Sequence, residues 1–138
     1  MQAVEIYCTK TDKLTGTDYH EVVRKARRVY KDITSKSKRK PYIRSAYFKR
    51  EKVFLDYFWQ HLQEKNWHDR LRRLRFYSCA LDLIKNSRSC YESKFNPNNY
   101  SEMFYKFKGT TQSKEIFIVQ VKENLKRGEK YFLSVFPE

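Results

Sequence analysis

The sequence predicts an α+β fold: about three helices followed by a C-terminal antiparallel β-meander of three to four strands. Three observations carry this expectation. Between 102 and 138, three runs rich in aromatic and β-branched residues (Met103 to Lys108, Glu115 to Lys122, Lys130 to Phe136) are separated by polar loops containing Gly109 and Gly128. Between 17 and 86, apolar residues recur at helical spacing. The length of 138 residues fits a single domain over 1–138, with 1–16 as an N-terminal arm or edge strand.

In chain order, Ala3, Val4, Glu5, Ile6 and Tyr7 alternate weakly, which suits a short edge strand or an ordered arm. Thr17 and Asp18 open the first helix, with Thr17 as cap and Glu21 in the first turn, where a negative charge is favoured. Its apolar stripe is Tyr19, Val22, Val23, Ala26, Val29, Tyr30 and Ile33, and its outer side carries Arg24, Lys25, Arg27, Arg28 and Lys31. The run from Thr34 to Pro41, with Lys36, Lys38, Arg39 and Lys40, ends that helix and reads as a phosphate-binding loop. The segment 42–48 reads either as a packed linker or as a connector that places Arg44, Ser45 and Tyr47 in a cleft.

A second helix is expected over 52–65, because Val53, Phe54, Tyr57, Phe58, His61 and Leu62 form one stripe. His61 on that stripe reads as a hydrogen-bonded core residue. A third helix starts at Asp69 and follows Leu71, Leu74, Tyr77, Leu81 and Ile84. Its first turns carry Arg70, Arg72, Arg73 and Arg75, which oppose the helix dipole and favour an anionic partner. The segment 86–101 is rich in Ser and Asn and reads as a loop.

Alternation assigns the faces of the meander. Phe117, Val119 and Val121 share an apolar face suited to helix packing. Ile116, Ile118, Gln120 and Lys122 share the other. Phe104, Lys106 and Lys108 oppose Met103, Tyr105 and Phe107, and Tyr131, Leu133 and Val135 oppose Phe132, Ser134 and Phe136. The mixed cationic and aromatic face suits RNA.

Thirty Lys plus Arg against sixteen Asp plus Glu give a formal charge of +14. From Arg24 to Arg50 there are twelve basic residues and one acid, Asp32, so a polyanion is the expected partner. Eleven Tyr, ten Phe and two Trp add stacking surfaces, which favours unpaired nucleic acid. No apolar run is long enough to span a bilayer and no signal-peptide pattern opens the chain, so no membrane partner and a cytoplasmic location are expected. Cys8, Cys79 and Cys90 lack metal-type spacing and, like the scattered His20, His61 and His68, predict no metal site. With only Gly16, Gly109 and Gly128, there is no Gly-rich phosphate loop, and no carboxylate cluster suits two-metal chemistry; no cofactor is expected. Metal-free RNA cleavage stays open, because the 2′-hydroxyl of RNA is its own nucleophile and the protein need only move protons and stabilise the phosphorane.

Helices followed by a C-terminal meander resemble the barnase–EndoU–colicin–RelE group of metal-free ribonucleases. The segments Tyr105-Lys106-Phe107-Lys108-Gly109, Phe117 to Lys122 and Phe132 to Pro137, with Pro41-Tyr42-Ile43-Arg44-Ser45 and Tyr47-Phe48, are similar to its small phage and mobile-element members. The resemblance implies a ribonuclease or ribonuclease-like toxin, with an acidic antitoxin or immunity protein as partner. It implies catalytic roles for Arg44, Lys106, Gln120 and Ser134. Arg44 and Lys106 would hold the scissile phosphate, Tyr47 or Tyr105 would give a proton or a stacking surface, Ser134 would orient the phosphate, and His61 and His68 are reserve general bases. The chain departs from the group in carrying Tyr105-Lys106 where a His-Arg pair is usual. Arg24, Arg27, Arg28, Lys38, Arg39, Lys40, Arg70, Arg72, Arg73, Tyr105, Lys108 and Lys122 are the expected nucleic-acid contacts. Two alternatives share the same basic surface: a non-catalytic nucleic-acid-binding module, and an adaptor or inhibitor docking on an acidic protein.

Overall fold

The structure is a computed structural model that describes residues 6–138, so Ala3, Val4 and Glu5 of the expected N-terminal strand lie outside the described residues. Chain order is β1 (Tyr7–Cys8), α1 (Tyr19–Thr34), β2 (Tyr42–Ser45), β3 (Glu51–Phe54), α2 (Asp56–Leu62), α3 (Trp67–Leu74), α4 (Tyr77–Asn86), β4 (Glu92–Asn96), β5 (Asn99–Thr110), β6 (Ile116–Asn124) and β7 (Glu129–Pro137). This corrects the expected fold. Among the described residues there are four helices and seven strands, and strands and helices are interspersed rather than segregated. The sheet is curled and mixed, with the order β1-β5-β6-β7-β3-β2 and β4 also paired to β5.

Local sequence explains most elements and their departures. In α1 the cap is Asp18, not Thr17: its carboxylate accepts from the Glu21 amide at 2.9 Å, while Glu21 accepts from the Thr17 amide at 3.0 Å. The expected helix over 52–65 is β3 followed by the shorter α2. The stripe there has helical spacing, but Glu51–Phe54 is held as a strand by β2 on one side and β7 on the other. The expected third helix is α3 and α4, with the break at Arg75 and Phe76. Asn66, rather than Asp69, caps α3 by accepting from the Asp69 amide. At the break, the Arg75 guanidinium donates to the carbonyls of Leu14 and Gly16, and Phe76 turns in to meet Phe117. The expected loop over 86–101 instead contains β4, which forms a hairpin with β5 around Asn96–Asn99.

β5, β6 and β7 pair antiparallel in succession within the larger mixed sheet, with Phe107 opposite Val119 and Val119 opposite Val135. Gly109 is inside β5 rather than in a loop, and a Cβ there would come within 2.6 Å of the Phe117 ring and 2.8 Å of Leu83. A bulge changes the expected faces of β7. Gln120 pairs with Ser134 but Val121 pairs with Phe132, so Leu133 is the extra residue. Phe132 and Val135 therefore share the core face, and both are fully buried.

The helices pack on that face. Phe58 stacks on Phe132 at 4.6 Å, Tyr77 meets both, and Val22, Ala26, Leu74, Leu83, Val53 and Leu55 complete the core. β3 runs parallel to β7 for only two pairs, Val53 with Lys130 and Phe54 with Tyr131. Beyond them α2 lies beside β7, with Phe58 against Phe132 and Tyr57 against Tyr131. Tyr131 and Phe132 point to opposite faces, so α2 straddles the edge of β7 and covers it.

Lys130 secures the junction of β3 and β7. It is 4 % exposed, and its ammonium lies 2.9 Å from Glu51 and 3.3 Å from Glu123, donates to the Gly128 carbonyl and faces the Phe48 ring. Glu123 also accepts from the Tyr105 hydroxyl at 2.6 Å. Lys130→Ala leaves Glu123 half-buried without its cation, and should lower unfolding free energy by about 3–5 kcal/mol. Urea denaturation of the two proteins reads this directly, and a loss below about 1 kcal/mol would show that the ion pair does not hold the junction.

Candidate nucleic-acid interface

Residues directly opposite on neighbouring strands share a face of the sheet. On the face away from the core, one row crosses six strands. Lys94 is opposite Phe104, Phe104 opposite Lys122, Lys122 opposite Tyr131, Tyr131 opposite Phe54, and Phe54 opposite Tyr42. Aromatic rings and lysines share it, and none of the six is buried. Arg44 and Lys52 sit one step along at the β2–β3 end, with their cations over the Tyr42 ring at 5.5 and 4.6 Å.

Three cavities follow this row. The first, about 860 Å³, is walled by Lys36, Ser37, Lys38, Arg39 and Lys40, with Tyr42, Lys52, Phe54 and Glu129. The second, about 320 Å³, shares Lys40 and adds Asp56, Tyr57, Gln60, Glu102, Lys122, Asn124 and Tyr131. The third, about 230 Å³, shares Tyr57, Gln60, Glu102 and Lys122 and adds His61, Glu64, Phe104 and Leu133. Shared walls make them one groove. Its charge falls along its length: five cations and one carboxylate line the first cavity, whereas lysines and carboxylates balance in the second.

The inner end of the groove carries the groups suited to proton transfer. Lys122 lies 3.4 Å from Glu102, donates to the Tyr57 hydroxyl at 3.3 Å and sits over the Tyr57 ring at 4.5 Å. His61 is not a core residue: its side chain is 26 % exposed on the groove wall, with Nδ1 3.2 Å from Glu64. Burial, reinforced by Lys65, holds its pKa below 6.5, so the imidazole is neutral and basic near pH 7.

The expected catalytic set is not assembled. Lys106, Gln120 and Ser134 do lie in one cross-strand row. However, Ser134 is 3 % exposed and its hydroxyl donates to Gln120, so a phosphate does not reach it. Arg44 is on β2, with β3, β7 and β6 between it and Lys106, and it donates to the Arg50 carbonyl. Tyr47 packs on the core side against Phe48, Tyr105 and Phe107, where burial raises its pKa. Tyr105 is on the same side, bonded to Glu123.

Of the expected nucleic-acid contacts, Lys38, Arg39, Lys40 and Lys122 line the groove. Arg24, Arg27 and Arg28 are exposed on α1, with Arg27 over the Trp59 ring. Arg70 donates to the Lys65 and Gln63 carbonyls, Arg72 and Arg73 pair with Asp69, and Lys108 pairs with Glu138. Lys52, Phe54, Tyr57 and Phe104 were not among the expected site residues. Cross-strand register aligns Lys52, Phe54 and Phe104, α2 sets Tyr57 beside Lys122, and no local motif encodes either.

Because His61 is held neutral, its folded pKa lies below its unfolded one. The unfolded chain then binds more protons as pH falls through 6.5, and stability declines over that window. NMR titration of the His61 ring should give a midpoint below 6.5, and His61→Gln should flatten the decline in stability over the same range. A midpoint at or above 6.5 contradicts the placement of this ring.

Among the described residues no group of His, Cys, Asp and Glu is arranged to hold a metal ion, and no helix is long and apolar enough to cross a membrane. Compared with family models, curated proteins and solved structures, the chain matches none.

Proposed function

We propose that the protein binds unpaired RNA along this groove and cleaves it without a metal ion. The observation that carries the binding is the row Tyr42–Phe54–Tyr131–Lys122–Phe104–Lys94, opening onto the cation-rich cavity. Exposed bases stack on aromatic side chains for about 1–3 kcal/mol each, and interleaved cations take the phosphates. Paired bases offer no such faces.

Cleavage follows from what lines the inner cavity. Neutral His61 accepts the 2′-hydroxyl proton at Nε2, with Glu64 orienting Nδ1. The 2′-oxygen bonds to phosphorus, Lys122 offsets the phosphorane charge, and the bond to the 5′-oxygen breaks as Tyr57 supplies a proton to it. The products are a 2′,3′-cyclic phosphate and a 5′-hydroxyl end. His61 then returns its proton to Tyr57 through solvent. A specific observation favours a purely binding role as the second reading: Lys122 is already paired with Glu102, which offsets part of its charge. An acidic inhibitor protein would dock at the same cation-rich cavity.

Incubation with a single-stranded RNA oligonucleotide in EDTA tests both steps. Cleavage to cyclic-phosphate ends is expected, slowed about 10²–10⁴-fold by His61→Ala. Tyr131→Ala should weaken binding about tenfold, the size of one lost stack. Salt-sensitive binding with intact RNA supports the binding module over the nuclease. Absence of binding at low salt overturns both.

A further inference from the structure

The first cavity holds more positive charge than an RNA chain passing through it requires. Lys36, Lys38, Arg39, Lys40 and Lys52 face a single carboxylate, Glu129. None of the five cations enters an ion pair with a described residue. Glu129 is itself engaged, accepting from the Tyr131 hydroxyl at 3.1 Å and lying 3.8 Å from Arg127. Like charges gathered without partners repel, and the arrangement is relieved by a multivalent anion.

The geometry adds to the charge. Three of the cations, Lys38, Arg39 and Lys40, are consecutive and end at Pro41, which fixes the backbone just before β2. Lys52 is held over the Tyr42 ring at 4.6 Å, so one ammonium is set at the floor beside the aromatic surface. Tyr42 and Phe54 meet edge to face at 6.3 Å and form that floor. The volume of about 860 Å³ is in the range of small-molecule sites, commonly about 300–1,000 Å³.

We propose that this cavity binds a nucleoside polyphosphate, with the base on the Tyr42–Phe54 floor and the phosphates among the five cations. An internal phosphodiester brings about one negative charge. A terminal monophosphate brings about 1.5 to 2, and each further phosphate in the chain adds about one more. The formal excess of four positive charges in the cavity therefore matches a triphosphate. Recognition is by side chains, because the chain has no Gly-rich loop to cradle phosphates with backbone amides. Lys40 also lines the next cavity along, so the 5′ end of an RNA seated here continues down the groove. The proposal deepens the RNA reading by naming its end group. The same chemistry is offered by a free nucleoside triphosphate.

Fluorescence anisotropy separates these sources. The probes are a labelled, uncleavable 2′-O-methyl RNA carrying a 5′-triphosphate, a 5′-monophosphate or a 5′-hydroxyl, with ATP as competitor in EDTA. The triphosphate end should bind at least tenfold more tightly than the hydroxyl end, and ATP should abolish that preference. The triple variant K38A/R39A/K52A, altered only at exposed side chains, should bind all three RNAs more weakly and, in addition, lose the preference, so that its affinities for the three ends fall within about threefold of one another. Tyr131→Ala should weaken all three RNAs alike and keep the preference. If ATP binds and no RNA does, the cavity stands as a free-nucleotide site and the RNA groove falls. Equal affinity for the three ends, or ATP binding no stronger than inorganic phosphate, overturns the proposal.

Discussion

The ammonium of Lys130, buried between β3 and β7, is the interaction on which the candidate site depends. The two strands share only two residue pairs, too few to set a register by backbone bonding alone. Lys130 adds Glu51 from β3 and Glu123 from β6, and its ammonium lies over Phe48 in the β2–β3 turn. One charge thus joins the β2–β3 hairpin to the meander. That register brings Phe54 beside Tyr131, and with it Tyr42 and the basic loop before β2. Without it, the aromatic row would stop at β7.

The groove is built from two halves that differ in kind. The β2–β3 end is strongly cationic and ringed by side chains from a loop, so it attracts and anchors anions. The β5–β6 end, walled by α2, sets Glu64 and Glu102 against the single cation Lys122 and carries a histidine, a tyrosine and a lysine suited to proton transfer. Under the proposed function, the first end attracts the chain and the second carries out the cleavage. A dense cation cluster at the reactive end would push a histidine further toward its neutral form and hold products tightly. The helix that walls the reactive end is also the one that seals the edge of β7, so the fold and the site share one element.

Much of this molecule is legible in the sequence where the signal is local. The apolar stripe of α1, its start near Thr17 and Asp18 though not which of them caps it, the three C-terminal strands and the basic run 36–40 are read from neighbouring residues. Elements fixed by distant partners are not. Glu51 to Phe54 has apolar spacing that continues into α2, and only pairing with β2 and β7 makes it a strand. The Leu133 bulge leaves no mark in composition, yet it decides which of Phe132, Ser134 and Val135 face the core. His61 reads as core because it lies on the stripe of its helix. It reaches the groove because α2 lies along a strand edge and shows one flank to each face of the sheet.

The central claim is that unpaired RNA lies along one cross-strand row on the open face of the sheet. Ultraviolet crosslinking of the protein to a photoreactive single-stranded RNA, followed by mass-spectrometric mapping of the modified residues, addresses it most directly. The account predicts adducts at Tyr42, Phe54, Tyr131 and Phe104. Adducts confined to the α1 surface around Arg24 and Arg28, or to the β4–β5 hairpin around Tyr100, would contradict it.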